Sequence, residues 1–151
     1  MDEELREKIL ILLDEHRIMT IATLRPDGWP QATTVGYAND GLTLYFLCGL
    51  NSQKAANLAL DDRVSLTIDH DTSDVMAITG LSMAAHAQAV DDPAEAERIL
   101  QMLIRKYGEP VTPPPIEMPT AEEVRIFRLT PTVISVIDYS KGFGHTDLVS
   151  C

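Results

Sequence analysis

Apolar side chains at Leu42, Leu44 and Phe46 alternate with Thr43 and Tyr45, and Val64, Leu66 and Ile68 alternate with Ser65 and Thr67. Both runs have the two-residue period of a half-buried strand. Between them Ser52 offers a hydroxyl for a helix N-cap, and Ala55, Ala56, Leu58, Ala59 and Leu60 favour helix. Residues 42–68 therefore read as strand, polar turn, short helix, strand. Upstream, Leu5, Ile9, Leu12 and Leu13 fall on one face of a helix over 3–14, with acids toward its start. A β-branched run predicts a strand over 18–24. Arg25-Pro26-Asp27-Gly28-Trp29-Pro30 is a turn. A returning strand over 31–37, a second turn over 38–41 and the strand at 42–48 complete three antiparallel strands in meander order.

Downstream of His70, residues 71–74 are polar and 75–90 are apolar and alanine-rich around Gly80. This stretch is one long bent strand or two shorter ones, and a glycine inside a strand marks a bulge or a close backbone approach. Asp92-Pro93-Ala94-Glu95 is the clearest helix start, with aspartate as N-cap, proline in the first turn and glutamate closing a capping box. Ala96, Leu100, Leu103, Ile104 and Tyr107 form the apolar stripe of this helix, and Gly108 ends it. Residues 109–120, with Pro113, Pro114 and Pro115 in a row, read as an extended arm or lid. Strands at 124–129 and 133–139 flank a bend at Thr130-Pro131, and a mobile tail follows with glycines around Phe143 and His145. The sum is a mainly β domain of six or seven mostly antiparallel strands with three helices. Closing such a sheet into a barrel protects its edges.

Composition narrows the function. At 151 residues the chain is one domain. A net charge of −11 without a Lys/Arg cluster argues against nucleic acid. No apolar run is long enough to cross a bilayer. The charged start Met1-Asp2-Glu3-Glu4 is unlike a signal peptide, so a cytoplasmic protein is expected. Cys48 and Cys151 suit reduced thiols rather than a disulfide framework. His16, His70, His86 and His145 stand far apart in different elements, with no metal-ligand or catalytic-triad spacing.

The candidate chemistry lies at the helix start after residue 51. Lys54 sits where free N–H groups and the positive dipole end favour an anion. It is either a solvated surface lysine or the counter-ion of a phosphate bound there. Asp61 and Asp62 at the other end of the same helix are also placed against the dipole.

This order of elements is similar to that of a known family. Residues 23–35 read Thr-Leu-Arg-Pro-Asp-Gly-Trp-Pro-Gln-Ala-Thr-Thr-Val. Residues 44–58 read Leu-Tyr-Phe-Leu-Cys-Gly-Leu-Asn-Ser-Gln-Lys-Ala-Ala-Asn-Leu, and 61–68 read Asp-Asp-Arg-Val-Ser-Leu-Thr-Ile. The pattern resembles the flavin-binding split barrels related to pyridoxamine 5'-phosphate oxidase. The resemblance implies a Greek-key-like split β-barrel and a homodimer with FMN at the subunit interface. It also implies an oxidoreductase passing a hydride between the flavin and a small organic substrate or reduced nicotinamide. Carried onto this chain, Thr33, Thr34, Val35 and Gly36 lie along the flavin, and Leu47 and Cys48 end the strand beside it. Ser52, Gln53 and Lys54 surround the phosphate. His145, in the tail, is the histidine that could reach a partner's flavin. Two departures stand out, because the family's oxidases carry a basic residue at the position of Gln53 and an arginine at that of Thr33. Their C-terminal arginine and histidine pattern for the substrate phosphate is not legible here, so vitamin B6 oxidation is not the expected activity. A non-catalytic flavin- or haem-binding module and a deazaflavin-dependent reductase remain alternatives on the same fold.

Overall fold

A computed structural model describes residues 1–108 and 119–151. The proline-rich arm predicted from the sequence falls largely on 109–118 and lies outside the described residues.

The elements in order are α1 (Glu3–Glu15), β1 (Ile18–Leu24), β2 (Pro30–Gly36), β3 (Ala38–Asp40), β4 (Thr43–Gly49), α2 (Gln53–Leu60), β5 (Arg63–Asp69), β6 (Thr79–Ala89), α3 (Pro93–Tyr107), β7 (Val124–Asp138) and β8 (Thr146–Ser150). All strand pairs are antiparallel, and the sheet runs β2-β1-β5-β6-β7-β4-β3, with β8 beside β7. Its two outermost strands, β2 and β3, are consecutive in the chain and separated only by Tyr37. The sheet is therefore curled into a half-barrel that is split between β2 and β3.

Four local expectations are corrected. The predicted meander breaks after β2, which among the described residues pairs only with β1. Residues 38–41 are not simply a turn, because Ala38–Asp40 forms a hairpin with β4 around Gly41, whose φ of 59° suits glycine. The Thr130-Pro131 bend does not divide a strand, since β7 is continuous over 15 residues. Pro131 is accommodated because the β6–β7 register shifts there, leaving Thr132 as the extra residue of a bulge. The tail is not loose. Residues 146–150 pair with β7, and the Cys151 N–H donates to the Thr132 carbonyl at 2.9 Å.

Alternating side chains of the strands fill the concave interior. Ile21, Leu44, Phe46, Leu66, Ile68, Leu81 and Leu129 pack there with Ile9 and Leu13 of α1 and Ala55 and Leu58 of α2. Phe46 and Phe127 stack at 5.5 Å between ring centres. On the opposite face of β3, β4 and β7, the residues Ala38, Tyr45 and Ile126 receive Ala96, Ile99 and Leu103 of α3. Asp92 caps α3 through the Glu95 N–H at 3.2 Å, and Gly108 ends it, as the sequence predicts.

The helices are tied down by a few polar contacts. Lys8 of α1 donates to Asp138 at 2.6 Å, and Ser140 adds further hydrogen bonds to the same carboxylate. The lysine, then Ser140, hold the Asp138 carboxyl down at about 2. A carboxyl depressed in the folded state stabilises above its unfolded pKa of 3.8, and that contribution is lost as pH falls toward 2. Asp138→Asn should thus cost about 1 kcal/mol at neutral pH and progressively less as pH falls from 3.8 through 2. Urea midpoints of the two proteins across that range check it, and a pH-independent gap would sink it.

At the end of α3, Lys106 donates to the Leu13 carbonyl at 2.9 Å and lies 3.8 Å over the Tyr37 ring. Burial pulls this amine down to about 8. Tyr107 donates to the Arg17 carbonyl and covers Gly36, where a Cβ would overlap the phenol.

Candidate functional site

The start of α2 behaves as its sequence suggests. The turn before it closes with the Ser52 N–H donating to Gly49 O at 3.1 Å, and the Ser52 hydroxyl oxygen then accepts from Ala55 N at 3.1 Å. No acid stands in the first turn. The N–H groups of Gln53 and Lys54 have no acceptor among the described residues. Lys54 is half-buried and makes no ion pair among them. At the other end the two acids are answered locally. Arg63 holds Asp61 through bonds of 3.0 and 2.7 Å, which lowers that carboxyl to about 2, and Asp62 meets His86 at 3.1 Å.

Gln53 is engaged in a network. Its Nε2 donates to Asn57 Oδ1 at 2.8 Å, while Asn57 Nδ2 donates to Thr23 Oγ1 at 2.9 Å and to Gln31 Oε1 at 3.3 Å. Asn57 is completely buried. The network fixes α2 to the β1–β2 hairpin, where Thr23 and Gln31 are directly paired. Asn57 escapes the sequence reading because it looks like one polar residue in an alanine-rich helix. Its signal is the four-residue spacing from Gln53, which puts both amides on one face.

The candidate residues divide by face. Thr33 and Val35 pair with Ile21 and Met19 and point with them to the concave side. Thr33 Oγ1 is buried and has no hydrogen-bond partner among the described residues. Thr34 points outward and is exposed, and Gly36 lies beneath Tyr107. Cys48 belongs to the interior cluster, whereas Leu47 packs toward α3 on the opposite face of β4. One chain therefore cannot bring both side chains to one face of a ligand. Ser52, Gln53, Lys54 and Cys48 are gathered where β4 runs into α2. His145 is not among them. It contacts Asp147 at 3.1 Å, and its carbonyl accepts from Asp138 N at the end of β7 remote from Arg125, which pairs with Cys48. Thirteen residues of strand, roughly 40 Å along its curve, separate those two ends.

The residues present fit a phosphate-bearing cofactor. An orphaned hydroxyl at Thr33, two free N–H groups, the Ser52 hydroxyl proton and the Lys54 amine are the donor types that an anionic group needs. On the other side of α2 a cleft of about 460 Å³ is lined by Ser52, Ala56, Ala59, Ala87, Arg125 and Phe127 among others. Among the described residues no three His, Cys, Asp or Glu side chains group as a metal site, and no helix is long and apolar enough to cross a membrane.

Comparison with known proteins gives the same fold. The conserved hypothetical protein Rv2991 from Mycobacterium tuberculosis is 25% identical, with 99% of this chain and 93% of that one covered at a TM-score of 0.77. An F420 reductase is 27% identical, with 83% and 94% covered at 0.64. A heme binding protein from Mycobacterium smegmatis is 20% identical, with 99% and 59% covered at 0.73, a likeness of fold. No curated protein sequence matches. The family model for pyridoxamine 5'-phosphate oxidase matches residues 2–138, and the chain belongs to that family.

Proposed function

We propose that the protein is an FMN-dependent oxidoreductase, with the flavin phosphate at the start of α2. The observation that carries this reading is the donor set at that helix start, with Lys54 unpaired and the Gln53 and Lys54 N–H groups free. Bound FMN would supply hydride transfer. The chain's own residues then bind, orient and shield. Ser52 donates its hydroxyl proton while still capping Ala55, Lys54 neutralises charge, and Thr33 offers its orphaned hydroxyl from β2. Val35 and Cys48 present apolar surface that excludes water. Thr34, Gly36 and Leu47 contribute through backbone, since their side chains or covering groups face elsewhere. Gln53 contributes a neutral amide already bonded to Asn57, and neutral hydrogen bonds are about half as strong as charge-assisted ones. Moderate affinity for FMN is the consequence.

A second copy of the chain is the proposed partner. The middle of the convex face of β1, β5 and β6 supports this, because Thr20, Ala22, Ser65 and Ala84 there are small and uncharged and let two sheets approach, with Arg63 and His86 at their side. His145 would approach a flavin only across such an interface. Sedimentation should give a mass of two chains, and a monomer at all concentrations would remove the shared-site reading. A small organic molecule or reduced nicotinamide is the expected substrate, in the cytoplasm. The F420 reductase and heme binding relatives keep a deazaflavin or haem as second readings.

The absorbance spectrum of purified protein separates these cofactors. Flavin bands support FMN and a Soret band supports haem. A colourless protein that takes up neither on titration rejects both. Lys54→Ala should weaken FMN by more than about 1 kcal/mol and leave riboflavin nearly unchanged. Equal losses for the two ligands would mean that the lysine acts on folding instead.

A further inference from the structure

The cleft on the far side of α2 shares only Ser52, at its rim, with the site just described. Its floor is made of alanine methyl groups, Ala56 and Ala59 from α2 and Ala87 and Ala89 from β6, with Phe127 of β7 beside them. Alanine has no rotamer freedom to lose when covered. Such a floor therefore accepts a flat apolar body at little entropic cost. The volume, about 460 Å³, lies within the roughly 300–1,000 Å³ of small-molecule sites. The cleft has one charged lining side chain among the described residues, Arg125. Cys48 pairs with Arg125 and Phe46 with Phe127, so Arg125 and Phe127 project from the same face of β7. In a chain with 23 acidic and 12 basic residues, Arg125 has no carboxylate within salt-bridge distance among the described residues. A guanidinium fork matches a carboxylate in shape and charge. One cation at the end of an apolar floor selects a monoanion over a neutral molecule. This cation is distinct from Lys54, since Ala56 stands two residues, about 200°, round the helix from it.

We propose that this cleft is a binding site for small monocarboxylates with a flat apolar body, with Arg125 pairing to the carboxylate. The site is separable from the flavin reading, because it shares Ser52 with it but neither Lys54 nor Thr33 lines it. Benzoate is the probe and benzyl alcohol its uncharged counterpart, each titrated into alanine-methyl-labelled protein with whatever cofactor it retains. Benzoate should give saturable shifts centred on Ala56, Ala59, Ala87 and Ala89 and bind about tenfold more tightly than benzyl alcohol. Arg125→Gln should bring benzoate down to the level of benzyl alcohol and leave the alcohol unchanged. Ala59→Phe, which fills the floor from an exposed helix position, should remove both. Equal binding of the two probes, undiminished benzoate binding in Arg125→Gln, or no saturable shift at those alanines overturns the proposal. A loss of FMN selectivity in Lys54→Ala has no bearing on these outcomes, so the two readings fail separately.

Discussion

Replacing Asn57 by alanine is expected to destabilise the protein by about 3 kcal/mol and, on the function proposed above, to weaken FMN binding along with it. The side chain is fully buried and serves three partners at once. Its removal leaves Thr23 Oγ1, itself only 2% exposed, without its donor, frees the Gln31 and Gln53 amides, and opens a small cavity. Buried polar groups stripped of partners carry their full desolvation cost. Because α2 is held to the β1–β2 hairpin through this network, the donors of Ser52 and Lys54 should lose their fixed position relative to Thr33. Urea denaturation gives the first quantity and FMN titration the second. A stability loss below 1 kcal/mol would show the network to be dispensable. Asn57→Asp is the companion variant. Its carboxylate keeps the shape but cannot donate to Thr23 or Gln31, and burial raises its pKa in the folded state. Stability should be impaired at neutral pH and recover as pH falls and the carboxyl is protonated.

The second large effect is expected at Gly80. An added Cβ would lie 2.6 Å from the Ile68 carbonyl oxygen and 3.1 Å from Asp69 Cβ. The first of these is backbone of β5, which is paired along its length to β6 and, over Ser65–Thr67, to β1. It cannot swing aside like the end of a side chain. Gly80→Ala should cost about 2 kcal/mol through strain, and Gly80→Val more, with a lowered Tm and an unchanged denaturant slope. A change under 0.5 kcal/mol in Gly80→Ala would mean that the β5–β6 pair relaxes freely at this point. Gly36 offers the contrast, because its intruder is the phenol of Tyr107, a side chain that can move if it gives up its bond to Arg17.

Gly80 and Asn57 also mark how far patterning alone reaches. The glycine is legible as a close approach of backbone, and the structure identifies what it approaches. The asparagine is not legible, since its value depends on Thr23 and Gln31, which lie 34 and 26 residues away in sequence. Pro131 misleads for a related reason. Proline before a β-branched run normally separates strands, yet a one-residue register shift against β6 carries β7 through it. The tail misleads because residues 146–150 owe their strand conformation to an open stretch of β7, which no local signal announces. At the candidate site, the capped start of α2 was readable from Ser52 onward, because capping is local chemistry. The division of Leu47 from Cys48, and of Thr33 from Thr34, followed the two-residue period once the concave side was known.

By itself the sequence determined where most helices and strands begin, through alternation, caps and turn residues, together with the capped start of α2 and the family pattern around it. Those are interactions among neighbours in the chain. Only the tertiary structure decided the strand order, the split between β2 and β3, the burial of Asn57, the covering of Gly36 and the remoteness of His145 from Lys54. It also decided that Arg125 faces a cleft floored by alanines from two other elements. Each of these depends on which distant segments share an edge or a face, and a one-dimensional pattern carries the period of a strand but not the identity of its neighbour.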